Sequence, residues 1–106
     1  MEPWKTGIVR ASEGQIRFHG YDATALMTRV SFTDVIFLLH RGELPTQGER
    51  ELLDAILIGS ADHGPGAPSC AAARLVASGN RESLSAAVAA GLLAIGDAHG
   101  GAGAWS

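Results

Sequence analysis

Ser31-Phe32-Thr33-Asp34-Val35-Ile36-Phe37-Leu38-Leu39-His40-Arg41-Gly42-Glu43-Leu44-Pro45-Thr46 reads as one complete helix with both ends marked. Ser31 and Asp34 have the spacing of an N-cap and its third helical position, where each side chain can satisfy the other's backbone N–H. Phe32, Val35, Ile36 and Leu39 follow at helical spacing. Gly42 supplies the left-handed conformation that closes a helix, and Pro45 prevents it from continuing. Thr46 opens a second capping box with Glu49, after which Leu52, Leu53, Ile56 and Leu57 fall on one face and Gly59 marks the stop.

Helical signals continue outward from this stretch. A helix is expected from Cys70 to Ser78, ended by Gly79-Asn80, and a last one over residues 82–95. The last is apolar nearly all round, with Leu84, Val88, Leu92 and Ile95 on one side and Ala86, Ala90 and Ala94 elsewhere. A helix apolar on every side belongs in a large core or an interface. Ala89, Ala90 and Gly91 would let a second helix approach closely. Toward the N-terminus, residues 7–18 read instead as two short strands around Ser12-Glu13-Gly14, with Ile16 and Phe18 alternating with Arg17. The expected fold is mainly α with a short N-terminal β-hairpin. One domain is expected, with a hairpin segment over 1–20 and a helical core over 22–106 that carries two histidine loops.

Composition narrows the function. The chain has 106 residues and a net charge of −3, with no basic run to neutralise phosphates, so nucleic acid is not expected as a partner. Its 46% hydrophobic content is more apolar helix than a small monomer covers easily, which points to missing partners. The single cysteine, Cys70, fits a reducing compartment and reads as a small core residue. The start lacks a signal peptide's apolar run, and Leu84–Ile95 is too short to span a bilayer; a soluble, cytoplasmic protein is expected.

Two glycine-punctuated loops each carry a histidine. The first is Asp62-His63-Gly64-Pro65-Gly66-Ala67-Pro68-Ser69, the second Gly96-Asp97-Ala98-His99-Gly100-Gly101-Ala102-Gly103. Two distant histidines and one cysteine give no metal-ligand spacing, so no metal is expected. Neither glycine cluster has the Gly-Lys-Ser/Thr ending of a phosphate-binding loop. His40, beside Arg41 at a helix C-terminus, reads as structural because positive charge is favoured there. His19 ends the hairpin and reads as structural or exposed.

The ordered motifs resemble the citrate synthase family. Gly20-Tyr21-Asp22 after a hairpin, Ser31-Phe32 and Leu38-Leu39 through Gly42-Glu43-Leu44-Pro45-Thr46 look like its opening. Ala61-Asp62-His63-Gly64 through Pro68-Ser69 is similar to its first histidine loop. Ala90-Gly91-Leu92-Leu93 through His99-Gly100-Gly101-Ala102 is similar to its second. The Trp4-Lys5-Thr6 opening resembles the short citryl-CoA lyase-like branch. The resemblance runs over essentially the whole chain and marks it as an N-terminal portion of a citrate synthase-like helical fold.

That resemblance implies acyl transfer through carbon–carbon bond chemistry beside a CoA thioester. In the family a carboxylate takes a proton from the methyl group of acetyl-CoA. A histidine donates to the thioester oxygen as the enol forms, and the enol attacks oxaloacetate to give citryl-CoA. Synthases then hydrolyse the thioester; lyases run the cleavage. His99 matches the catalytic histidine, and His63 matches the histidine that contacts the dicarboxylate. No permanently bound cofactor is implied; the CoA thioester is a substrate, and synthase and lyase directions both remain open. The family's base lies in its C-terminal part, and neither Asp62 nor Asp97 occupies that position. A homodimer, or association with the missing C-terminal part, is expected, since such helices build the family's dimer interface. A different class of function is an inactive helical interaction module, or a truncated remnant, associating with itself or a full-length homologue.

Overall fold

The structure, a computed structural model, describes residues 5–100. Trp4 of the opening tripeptide, residues 101–103 of the second loop and Trp105-Ser106 lie outside the described residues. The chain forms two compact units, Met1–Ser60 and Ala61–Ser106. Among the described residues there are five helices and one small sheet, which makes the protein mainly α, as expected.

In the first unit, β1 (Val9–Ser12) and β2 (Gln15–Phe18) form the expected hairpin. Its two-residue turn, Glu13-Gly14, has positive φ at both positions, 52° and 77°, the backbone that matches the twist of paired strands. His19 and Gly20 repeat the device with φ of 47° and 86° and lead into β3 (Tyr21–Asp22). The sheet therefore has three antiparallel strands in the order β1-β2-β3, and the β-segment runs two residues past the hairpin boundary expected at 20. His19 is half-buried at this second turn, where its Nε2–H donates to the Leu39 carbonyl at 3.4 Å.

Asp22 ends the sheet and starts α1 (Ala23–Arg29), its carboxylate accepting the Thr24 N–H. α2 (Phe32–Arg41) and α3 (Gln47–Gly59) carry both expected capping boxes, and Gly42 closes α2 at φ 81°. His40 has the structural role expected of it: its Nδ1–H donates to the Ile36 carbonyl at 2.8 Å. Polar contacts tie α2 to α3. Asp34, 3% exposed, accepts from Arg50 Nε at 2.5 Å, and the Thr33 hydroxyl donates to Asp54. The apolar face expected on α3 stays largely open, because Leu52 and Ile56 are exposed and no α3 residue is buried. Leu26 and Leu38 form the buried apolar centre of this unit.

Asp34 makes stability pH-dependent. Burial opposes its charge, but the Ser31 N–H, the Arg50 guanidinium and the Ser31 hydroxyl outweigh burial and lower its pKa below the ordinary 3.8. A carboxyl depressed on folding contributes stability above its unfolded pKa, and that contribution is lost as pH falls through the folded pKa. Asp34→Asn is expected to cost about 1–3 kcal/mol at pH 7, from the weakened cap and the lost charged hydrogen bond. The gap between variant and wild type should close as urea melts are taken below pH 4. A gap independent of pH would contradict this role for the charge.

In the second unit, α4 (Pro68–Gly79) packs on α5 (Leu84–Leu93). α4 begins two residues earlier than expected because Pro68 serves at its first turn, where a missing N–H costs nothing. α5 is shorter than the expected 82–95: the Ser83 hydroxyl accepts the Ala86 N–H and fixes the start, and Ala94 caps the end. At Gly91 the two helices approach closely. A Cβ there would lie 3.2 Å from the Ser69 carbonyl oxygen and 3.6 Å from the Ala73 methyl. Only the Ala87–Gly91 side of α5 is buried; Leu84 is 80% exposed and Leu92 64%, so within this unit the helix is not covered all round.

Candidate functional site

The second unit holds both candidate histidines. His99 sits just after α5 in a tight turn closed at both ends by backbone. The Gly96 N–H donates to the His99 carbonyl at 2.7 Å, and the His99 N–H donates back to the Gly96 carbonyl at 3.0 Å. Gly100 continues at φ 88°, and a Cβ there would fall 2.7 Å from Ile95 Cγ2. Glycine is therefore required by both backbone and space, and the turn has little freedom to reorient.

The imidazole is half-buried, and its Nε2 lies 2.8 Å from Ser69 Oγ in the first turn of α4. The close contact of α4 and α5 at Gly91 brings these residues together across 30 positions of sequence. Either atom can be the donor. When the Ser69 hydroxyl donates to Nε2, a neutral ring carries its proton on Nδ1 and offers that N–H to a ligand. Ser69 is the residue that sequence reasoning missed, since a serine one residue into a helix carries no signal of a partner so far along the chain.

His63 lies in the loop before α4 and is exposed. The Asp62 carboxylate accepts the Gly64 N–H at 2.9 Å, and Gly64 takes φ 83°, so the loop is shaped around His63 by its own backbone. No hydrogen bond joins His63 to His99 among the described residues. The N-cap residue of α4, Ala67, gives no side-chain cap, which leaves the amides after Pro68 to other acceptors. Asp62 is engaged in its turn and Asp97 stands inside the Gly96–His99 turn. Cys70 is half-buried, less enclosed than the core position expected for it, because the first turn of α4 is only partly covered. No helix among the described residues is long and apolar enough to cross a membrane.

The family description "Citrate synthase, C-terminal domain" matches residues 2–51. Among solved structures, citryl-CoA lyase from Hydrogenobacter thermophilus is 45% identical, with a TM-score of 0.88 over 94% of this chain and 39% of that one. ATP citrate lyase from Methanosaeta concilii, solved as a variant with (3S)-citryl-CoA, is 25% identical with a TM-score of 0.81, covering 95% of this chain and 17% of that one. The same values hold for ATP citrate lyase from Methanothrix soehngenii, solved with citrate and coenzyme A. This chain thus spans about two fifths of the length of the first relative and under a fifth of the other two. No curated protein matches.

Proposed function

Since the chain belongs to the citrate synthase family, we propose that it forms part of a site that makes or cleaves the central carbon–carbon bond of a citryl thioester. The substrates are a CoA thioester with oxaloacetate, or citryl-CoA; the relatives solved with citryl-CoA, citrate and coenzyme A support that class. The observation that carries the reading is the Ser69–His99 hydrogen bond at 2.8 Å. It offers a way to hold the His99 proton on Nδ1, so that the ring donates to the thioester oxygen where negative charge develops. A fixed donor aimed at a developing oxyanion lowers the barrier without reorganising during reaction. His63 and the uncapped amides of α4 take the dicarboxylate, for which the positive end of a helix is suited.

Neither Asp62 nor Asp97 is assigned the base, which this reading takes from a part of the family's longer chain. The exposed outer side of α5 supports association, either as a homodimer or with that further part. The same exposed side also favours the second reading, a catalytically inactive module that binds a copy of itself or a longer homologue. A cytoplasmic location is proposed on the single cysteine.

Ser69 acts here as a positioning residue, and its variants test the reading. In the enzyme that contains these residues, Ser69→Ala is expected to lower kcat about tenfold with little change in KM, the size of one lost hydrogen bond. Ser69→Thr, which keeps the hydroxyl, should recover most of it. Equal kcat in the wild type and the alanine variant would remove Ser69 from the mechanism.

A further inference from the structure

In the first unit, Arg10 of β1 and Arg17 of β2 stand directly opposite in antiparallel register. Like charges so placed cost a sheet stability. Neither arginine forms an ion pair among the described residues, where the ion pair formed is Asp34–Arg50. Asp22, opposite Arg17 on β3, caps α1 through one oxygen and offsets at most one of the two positive charges. Arg17 commits one N–H to Gln15 Oε1 at 3.0 Å, and both arginines are exposed. They line an open cleft of about 520 Å³ with Thr6, His19 and Gly42. Among the described residues the facing pair therefore keeps an excess of positive charge at the cleft, which an anionic ligand would offset.

We propose that this cleft binds a phosphorylated small molecule through the paired guanidinium groups of Arg10 and Arg17. A phosphate dianion neutralises both charges at once, and its oxygens suit two planar forks. A single carboxylate neutralises only one. The cleft is larger than a bare phosphate ion and falls in the range of small-molecule sites. Nothing in this inference depends on His99 or on the thioester chemistry, because every residue it uses lies in the first unit.

The test is calorimetry and thermal melting of the 106-residue chain with inorganic phosphate, adenosine monophosphate and acetate at matched ionic strength. Phosphate and adenosine monophosphate should bind and raise the Tm, whereas acetate, a single carboxylate, should do neither. Tighter binding of the nucleotide than of phosphate identifies an organic phosphate as the occupant, and equal binding identifies the free ion. Arg10→Gln and Arg17→Gln should each weaken phosphate binding about tenfold or more. Arg10→Lys, which keeps the charge and loses the fork, should fall between. Without anion, Arg10→Gln should melt no lower than wild type, because it relieves the repulsion. Absence of binding by wild type, equal binding by the glutamine variants, or acetate binding as tight as phosphate would overturn the proposal.

Discussion

In the citryl thioester site proposed above, replacing His99 with Ala is expected to lower kcat about 10²–10³-fold, the usual cost of removing one oxyanion donor. The size follows from where charge sits along the reaction. The thioester oxygen is weakly charged in the ground state and strongly charged as the enol forms, so a fixed donor there acts mainly on the barrier. KM should therefore move little. The turn that carries His99 is closed by its own backbone bonds and by Gly100, so truncating the ring should leave the loop in place. Steady-state kinetics with circular dichroism as a folding check makes the measurement. Turnover equal to wild type would remove His99 from the chemistry.

Leu38→Ala is expected to destabilise the 106-residue chain by about 2–5 kcal/mol, the range for emptying a fully buried leucine site. Leu38 is 0% exposed, and among the described residues Leu26, Leu38 and Ala87 make up the buried apolar set. Little else is positioned to compensate. Phe32, on the same helix, is 80% exposed, and the open apolar face of α3 does not cover the gap. Urea denaturation of both proteins gives the difference directly. A loss under about 1 kcal/mol would place the stabilising core elsewhere, since surface changes usually stay within such limits.

These two predictions rest on features of different visibility in the sequence. The helices around Leu38 were legible because their ends are local events. Ser31 with Asp34, Thr46 with Glu49, and Gly42 each act within four residues, and all three devices form as their spacing implies. β3 was not legible, since two residues give no alternation and its signal is only the X-Gly turn at His19-Gly20. For α3 and α5, periodicity marked apolar side chains at helical spacing, but the side that packs within the unit differs, Ala87 and Gly91 being the buried positions of α5. Leu84, Leu92 and Ile56 remain exposed within their own units, because a hydrophobic stripe states a need for burial and not the partner that meets it.

The candidate site divides in the same way. His63 and His99 stand out as histidines among glycines, and their loops are shaped by the backbone conformations those glycines permit. The Ser69 contact depends on Gly91 letting α4 and α5 approach, a tertiary fact with no local signature. Asp34 shows a third case. Its capping role was readable from Ser31, whereas its pairing with Arg50, 16 residues on, emerged only when α2 and α3 packed.

The most direct test of the central claim is the carbonyl ¹³C resonance of [1-¹³C]acetyl-CoA bound to the enzyme that contains these residues, in wild-type and His99→Ala forms. If His99 donates to the thioester oxygen, binding to wild type polarises the carbonyl and moves the resonance downfield of free acetyl-CoA, and the alanine variant binds without that shift. A downfield shift of the same size in both proteins would show that another group polarises the thioester, and the role proposed for His99 would be wrong.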